Sequence, residues 1–273
     1  MSILAGEKFE LKLVRASDIL LHEECEDNRY IRLVERFDEE KVLFNPLILG
    51  RHKEQFILID GANRFEALRR TGCKTILAQL VNYESPEVSL KSWYHFVNGL
   101  DLTRLKTFLQ TEKIDHESWN SAKGLESLNS VGVVSSSGEA IQIKCSTVFS
   151  EMLITLCKLN KYYESRYSYI RIDSDTDVSD VGRLSQEEGL LFIYPDFKKE
   201  HILQIAVSAQ KLPAGITRHL IPNRVLHIKI LIEALKTDEH LDKRNEELEK
   251  FIQYKIDTQK VRLYREPILV FDE

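Results

Sequence analysis

Cysteine is scarce, and none of it is spaced for chemistry. The four cysteines, Cys25, Cys73, Cys145 and Cys157, form no C-x-x-C pair. That excludes the usual spacings of a zinc site or a redox pair and fits reduced thiols. No run approaches the roughly 20 apolar residues of a membrane span. Met1 to Val14 lacks the apolar stretch of a signal peptide, so a soluble, cytoplasmic protein is expected. Basic excess is missing as well. A formal net charge of -5 gives no support for a non-specific nucleic-acid binder. No internal repeat and no long linker is evident. What remains is ordinary globular composition, 43% hydrophobic and 30% charged. Its 273 residues suffice for one large domain or two modest ones.

Periodicity predicts the elements. Phe9 to Val14 alternates like a half-buried strand, and Ala16-Ser17-Asp18 turns. Asp27 caps a helix whose Tyr30, Leu33, Val34 and Phe37 share one face. Pro46 opens a strand at Leu47 to Leu49, Gly50 to Gln55 is a polar turn, and Phe56 to Ile59 is an apolar strand ending at Asp60-Gly61. A helix from Ala62 to Arg70 follows, with Gly72 as its left-handed cap. A strand from Thr75 to Val81 completes a compact α+β unit of strand, helix, hairpin, helix, strand.

Further along, strands are expected at Val88 to Val97, Ile141 to Ile143, Leu190 to Tyr194 and Val225 to Ile230. Two last strands are expected around Val261 to Leu263 and Ile268 to Phe271. Helices are expected at Leu102 to Gln110, Val148 to Tyr163, Asp196 to Lys211 and Asp238 to Ile256, the last with Leu241, Leu248 and Ile252 as its apolar ridge. Asn129 to Glu139 reads as an exposed turn, and Leu212-Pro213-Ala214-Gly215 as a loop with two strong breakers.

The strand-to-helix junction at Asp60 carries the most chemistry. Helix N-termini present backbone N–H groups and the positive end of a dipole to anions. Gly61 permits close approach of a phosphate. Asp60 suits Mg²⁺, which prefers carboxylate and phosphate oxygens, and Arg64 can grip phosphate in a fork. The same residues also describe an ordinary Asp-capped helix with a surface arginine.

Asp60-Gly61-Ala62-Asn63-Arg64 with the following Phe65-Glu66-Ala67-Leu68, Gly72 and the Thr75 strand resembles the core motif of the ParB/sulfiredoxin superfamily. Leu21-His22-Glu23, Ser92-Trp93-Tyr94-His95 and Pro213-Ala214-Gly215-Ile216-Thr217-Arg218 resemble, in order, three segments of its free L-serine kinase branch. The similarity runs from about Lys12 to the C-terminus. The resemblance implies an α+β fold, with a ParB/sulfiredoxin-like domain over 1–98 that binds nucleotide phosphates. A second, mixed α/β domain over 99–273 would share the cleft and supply loop 212–219.

It also implies an enzyme that moves the terminal phosphoryl group of ATP or ADP, with Mg²⁺, to the hydroxyl of free L-serine. The product, O-phospho-L-serine, would feed cysteine or siderophore-type synthesis. Glu23 matches the family's catalytic glutamate and His22 precedes it. Asp60 would bind the metal. Gly61, Ala62, Asn63 and Arg64, with the backbone at Asn45 and Pro46, would hold the nucleotide. Trp93, His95, Thr217, Arg218 and His219 would surround the serine. Small molecules are then the expected partners, with a homodimer left open. Asn63 departs from the pattern, since His is common there. Asn donates a hydrogen bond but does not titrate, which leaves a different amino-alcohol acceptor open.

Two rivals share this fold. A ligand-sensing or DNA-binding regulator of a biosynthetic cluster would need a basic element, but Asp238 to Lys250 holds six Asp/Glu against three Lys/Arg. A sulfiredoxin-like reductase would need a cysteine in the phosphate motif, where Ala62-Asn63 stands, and no cluster of carboxylates suggests a nuclease.

Overall fold

The computed structural model describes residues 2–4, 7–121, 124–125, 127–178 and 188–264. In chain order the elements are β1 (Ser2–Leu4), β2 (Glu7–Arg15), β3 (Ile19–Leu21), α1 (Asp27–Glu40), β4 (Val42–Leu43), β5 (Leu47–His52), β6 (Gln55–Asp60), α2 (Ala62–Arg70), β7 (Thr75–Asn82), β8 (Ser89–Asn98), α3 (Leu102–Thr111) and β9 (His116–Ser118). They continue with β10 (Ser130–Ser135), β11 (Ala140–Lys144), α4 (Phe149–Glu164), β12 (Tyr169–Asp173), β13 (Gly189–Ile193), α5 (Lys199–Val207), β14 (Thr217–Leu220), β15 (Ile230–Leu231), α6 (Ile232–Leu235) and α7 (Leu241–Asp257). The fold is mixed α/β.

The chain divides into two compact units, and the division is not a single cut. One unit is Met1–Ile19, Asn28–Tyr83 and Ile221–Glu273; the other is Leu20–Asp27 and Glu84–Leu220. The expected boundary between 98 and 99 does not coincide with it. β8 pairs with β12, β13 and β14, which ties residues 89–98 to the second unit.

In the first unit β7 is central, antiparallel to β2 and parallel to β5, and β5 forms a hairpin with β6. The sheet order is β1-β2-β7-β5-β6, with β3 at the far edge. Thr75 to Leu80 are all buried, as expected of a strand covered on both faces. α2 buries Phe65, Ala67 and Leu68, and Gly72, at φ +83°, ends it in the left-handed cap the sequence indicates. α1 buries Tyr30 and Phe37. On α7, Ile252 is buried while Leu241 and Leu248 are half-buried. Its Asn245 carboxamide bonds both the N–H (2.8 Å) and the carbonyl (3.1 Å) of Leu13, covering part of a strand edge.

The second unit is an antiparallel sheet ordered β12-β8-β13-β10-β11-β9, with β14 added on β8. α4 buries Met152, Leu153, Leu156, Leu159 and Tyr163.

Several expected elements differ. Of residues 129–139 only 136–139 form the expected turn: β10 occupies 130–135, with Val131, Val133 and Val134 buried between β11 and β13. Gly132, which reads as a breaker, is required there because a Cβ would lie 2.6 Å from the Trp119 ring. The turn expected at 50–55 shrinks to Lys53-Glu54 inside a continuous hairpin. α5 is shorter than 196–211. Val225 to Ile230 is not a strand, because its donors go to side chains and to Phe44, and His227 and Lys229 have positive φ. Val261 to Leu263 is irregular, and Ile268 to Phe271 lies outside the described residues. Among the described residues no helix is long and apolar enough to cross a membrane.

A Cβ at Gly50 on β5 would sit 2.7 Å from the fully buried Tyr83 ring. Gly50→Ala should therefore destabilise the chain by about 1–3 kcal/mol, the usual range for overpacking. Urea unfolding checks this, and an unchanged midpoint would contradict it.

Candidate active site

Two clusters emerge, one in each unit. In the first, β6 delivers Asp60 to the start of α2. Gly61 adopts φ +104°, ψ 31°, a conformation costly for residues with a Cβ. A Cβ there would also crowd Leu47 and the Arg64 guanidinium at 3.0 Å. Arg64 is held from both sides. Its Nη1 donates to the carbonyls of Asn45 (3.2 Å) and Pro46 (3.0 Å), and its Nη2 donates to Asp60 Oδ2 at 2.8 Å. The Asn45 and Pro46 carbonyls thus orient Arg64. The Asn45 side chain accepts from His227 N–H at 2.9 Å. Ala62 and Asn63 are the first two residues of α2, both half-buried.

The sequence reading missed Arg224. Its Nη1 also donates to Asp60 Oδ2, at 2.9 Å, so two guanidiniums converge on one carboxylate oxygen. Burial would raise the Asp60 pKa, but Arg64 and Arg224 outweigh it and hold the carboxyl below its ordinary value. Two cations against one anion leave the junction net positive, at the positive end of α2. One signal in the sequence pointed this way: Gln79, a lone carboxamide within the apolar run Ile76 to Val81.

The second cluster centres on Glu23. The 22–24 segment runs beside Leu212: Leu212 N donates to His22 O (2.9 Å) and Glu24 N to Leu212 O (2.8 Å). Glu23 Oε1 accepts from Thr217 N at 2.8 Å and from the Thr217 hydroxyl, and Oε2 accepts from Gly215 N at 3.3 Å. Because Thr217 Oγ1 donates to Glu23, it accepts from His22 Nε2–H, 2.9 Å away. His22 is buried, and the His219 ring packs edge-on to it with centroids 5.4 Å apart. Three donors occupy a carboxylate with about four lone-pair sites, which leaves room for one more hydrogen bond.

His95 lies beneath this loop and is fully buried. Its Nε2 bonds Gly215 O at 2.9 Å and its Nδ1 meets Tyr163 OH at 2.6 Å. The carbonyl requires Nε2–H, so Nδ1 accepts from Tyr163, which in turn receives Tyr194 OH (2.6 Å) and Asn160 Nδ2 (2.9 Å). Tyr169 stacks on the imidazole at 4.8 Å. Both ring nitrogens are spent, so His95 supports the loop from below instead of facing a substrate.

Trp93 and Arg218 do meet: the guanidinium carbon lies 4.4 Å from the Trp93 ring centroid, and Arg218 ion-pairs with Asp173. Arg171 also escaped the sequence reading. It packs directly against the Gly215 Cα and ion-pairs with Glu26. β12 places Tyr169, Arg171 and Asp173 on one face by strand alternation.

Burial lowers the His95 pKa from 6.5 to about 3. The unfolded chain therefore binds more protons than the fold between those values, and stability should fall as pH drops through that window. The slope is up to about 1.4 kcal/mol per pH unit. His95→Gln, which does not titrate, should flatten the slope in urea unfolding between pH 5 and 6.5. An unaltered slope would show that His95 is not buried neutral.

No protein-family model matches the chain. It is 24% identical over 234 residues to an ATP-dependent L-serine kinase of Staphylothermus marinus, covering 81% of this chain and 89% of that protein. It is 25% identical over 235 residues to the ATP-dependent L-serine kinase SbnI of Staphylococcus aureus, covering 85% and 86%. To the ADP-dependent L-serine kinase SerK of Thermococcus kodakarensis it is 22% identical over 239 residues, covering 84% and 94%. Among solved structures, C-terminally truncated SbnI superposes with a TM-score of 0.70 at 21% identity, over 91% of this chain and 97% of that one. A free serine kinase in complex with AMP gives 0.70 at 18% identity, over 84% and 95%. By sequence the chain is similar over more than four-fifths of its length to named L-serine kinases, and it has the fold of SbnI and of the free serine kinase.

Proposed function

We propose that this chain transfers the terminal phosphoryl group of ATP or ADP to the hydroxyl of free L-serine, giving O-phospho-L-serine. The observation that carries the reading is the Asp60 junction, where two guanidiniums and a helix N-terminus with a left-handed glycine make a net-positive cradle. The named L-serine kinases to which the chain is similar, using ATP or ADP, support the donor and the acceptor.

In this reading the first unit carries the ParB/sulfiredoxin-like phosphate site, with Arg224 supplied by its C-terminal segment. Gly61, Ala62 and Asn63 offer backbone to the phosphates. Arg64 and Arg224 neutralise their charge, and such charge-assisted contacts are individually strong. Both guanidiniums lie on Asp60 Oδ2, and the Asp60 carboxylate would hold Mg²⁺ through its other oxygen. Among the described residues no group of three or more His, Cys, Asp or Glu side chains is placed to hold a metal. That suits an ion that takes one or two carboxylates plus substrate phosphates. When bound, Mg²⁺ would neutralise charge on the transferring group.

Glu23 takes the serine hydroxyl proton. The freed oxygen attacks the terminal phosphorus, and the bond to the bridging oxygen breaks, releasing ADP from ATP or AMP from ADP. The Thr217 and Gly215 donors fix the Glu23 carboxylate, with His22 bracing Thr217 from behind. Arg218, stacked on Trp93, would receive the serine carboxylate. Asn63 cannot titrate, so it supplies no second base at the α2 terminus. Supply of a precursor for cysteine or siderophore-type synthesis follows from the product.

Incubation with Mg²⁺, L-serine and either ATP or ADP should yield O-phosphoserine, and no product with either donor would refute the reading. Glu23→Gln should lower kcat at least about 10²-fold, the typical loss on removing a general base, with nucleotide KM unchanged. Full activity would remove Glu23 from the mechanism. Asp60→Asn should weaken Mg²⁺-nucleotide binding by calorimetry, and unchanged affinity would count against its metal role.

A further inference from the structure

Gln79 sits on the central strand of the first unit and is 2% exposed. A buried carboxamide left unpaired is costly, so both of its ends need partners. Both ends go to one surface loop. Nε2 donates to Asn223 O at 2.9 Å, and Oε1 accepts from Val225 N–H at 2.8 Å. The groups it holds belong to the residues on either side of Arg224. Residues 221–229 are neither helix nor strand. Asn223, His227 and Lys229 all have positive φ, so no ladder fixes the loop's path. Its place is set instead by Gln79, by the Asn45 side chain at His227 and by Phe44 O at Lys229. The Arg224 side chain is long and 42% exposed, and it reaches Asp60 because its own backbone is pinned on both flanks.

We propose that Gln79 is a positioning residue for the nucleotide-phosphate cradle: it holds residues 223–225 so that the Arg224 guanidinium stands beside Arg64 on Asp60. This rests on reading the Asp60 junction as the phosphate site. Without the two hooks the loop loses its anchor, Arg224 leaves Asp60, and Asp60 neutralises Arg64 alone. The cradle's surplus positive charge is then gone while the acceptor cluster of the second unit keeps all its own contacts. A Gln79 that merely filled space in the sheet would affect both substrates alike, through stability.

The test uses the full chain carrying Gln79→Leu, Arg224→Ala, or both. Kinetics of O-phosphoserine formation and calorimetry with AMP, ADP and ATP supply the readouts. Gln79→Leu should raise Kd and KM for ADP and ATP about tenfold, the effect of losing one hydrogen bond to a charged group. AMP affinity should change less, and the L-serine KM should stay within about twofold of wild type by the same arithmetic. The double variant should be no weaker than Arg224→Ala, because Gln79 acts through Arg224. Additive losses in the double variant, or a folded Gln79→Leu protein that binds ATP as wild type does, would overturn the proposal. If Gln79→Leu does not fold, Gln79→Glu keeps the acceptor for Val225 and removes the donor to Asn223, and the same comparison applies. Should wild type bind no adenine nucleotide, the kinase reading falls. Tripolyphosphate titrations of the same variants then decide the Gln79 proposal separately.

Discussion

Convergence of two guanidiniums on the Asp60 carboxylate is the constraint around which the first unit is arranged. A carboxylate placed at the end of an apolar strand is partly desolvated, and burial alone would push it toward the neutral acid. Arg64 and Arg224 reverse that, and each is itself held by backbone carbonyls or by a pinned loop. The second unit repeats the logic with Glu23, whose oxygens accept three donors from a loop braced from below by His95. In both places a charged group is fixed by the protein before any ligand arrives. Preorganisation of this kind favours phosphoryl transfer, which needs alignment and charge neutralisation more than covalent help.

Much of this was readable from residues. The Asp60-Gly61 junction followed from an apolar strand meeting a helix pattern, and α2 begins and ends where Gly61 and Gly72 place it. The short motifs put His22, Glu23 and Thr217 on one list, and the fold places Thr217 within hydrogen-bond reach of the other two. Arg171 and Asp173 were invisible because no local period marks them, and only the lone carboxamide of Gln79 hinted at Arg224. Each matters through a contact made far along the chain, as with Arg224 on Asp60 or Arg171 on Glu26. His95 shows the opposite failure. It was expected beside the serine, but burial and two spent nitrogens give it a supporting position.

Irregular backbone was the other blind spot. Ser and Gly in 130–135 read as turn formers, yet Gly132 is there because Trp119 packs onto the strand. The apolar and β-branched residues of 225–230 read as a strand, yet the backbone donors of that segment are taken by Gln79, Asn45 and Phe44. Propensity describes what a segment prefers in isolation, and tertiary partners decided both cases.

The two carboxylates find their partners across great lengths of chain: Asp60 meets Arg224 across 164 residues, and Glu23 meets Gly215 across 192. Contacts so remote in sequence must wait for late synthesis and slow loop closure. A nascent polypeptide that stalls before Gly215 on the ribosome carries neither assembled cluster, however well its early strands have formed. Both clusters can close only once the chain has been made through Arg224.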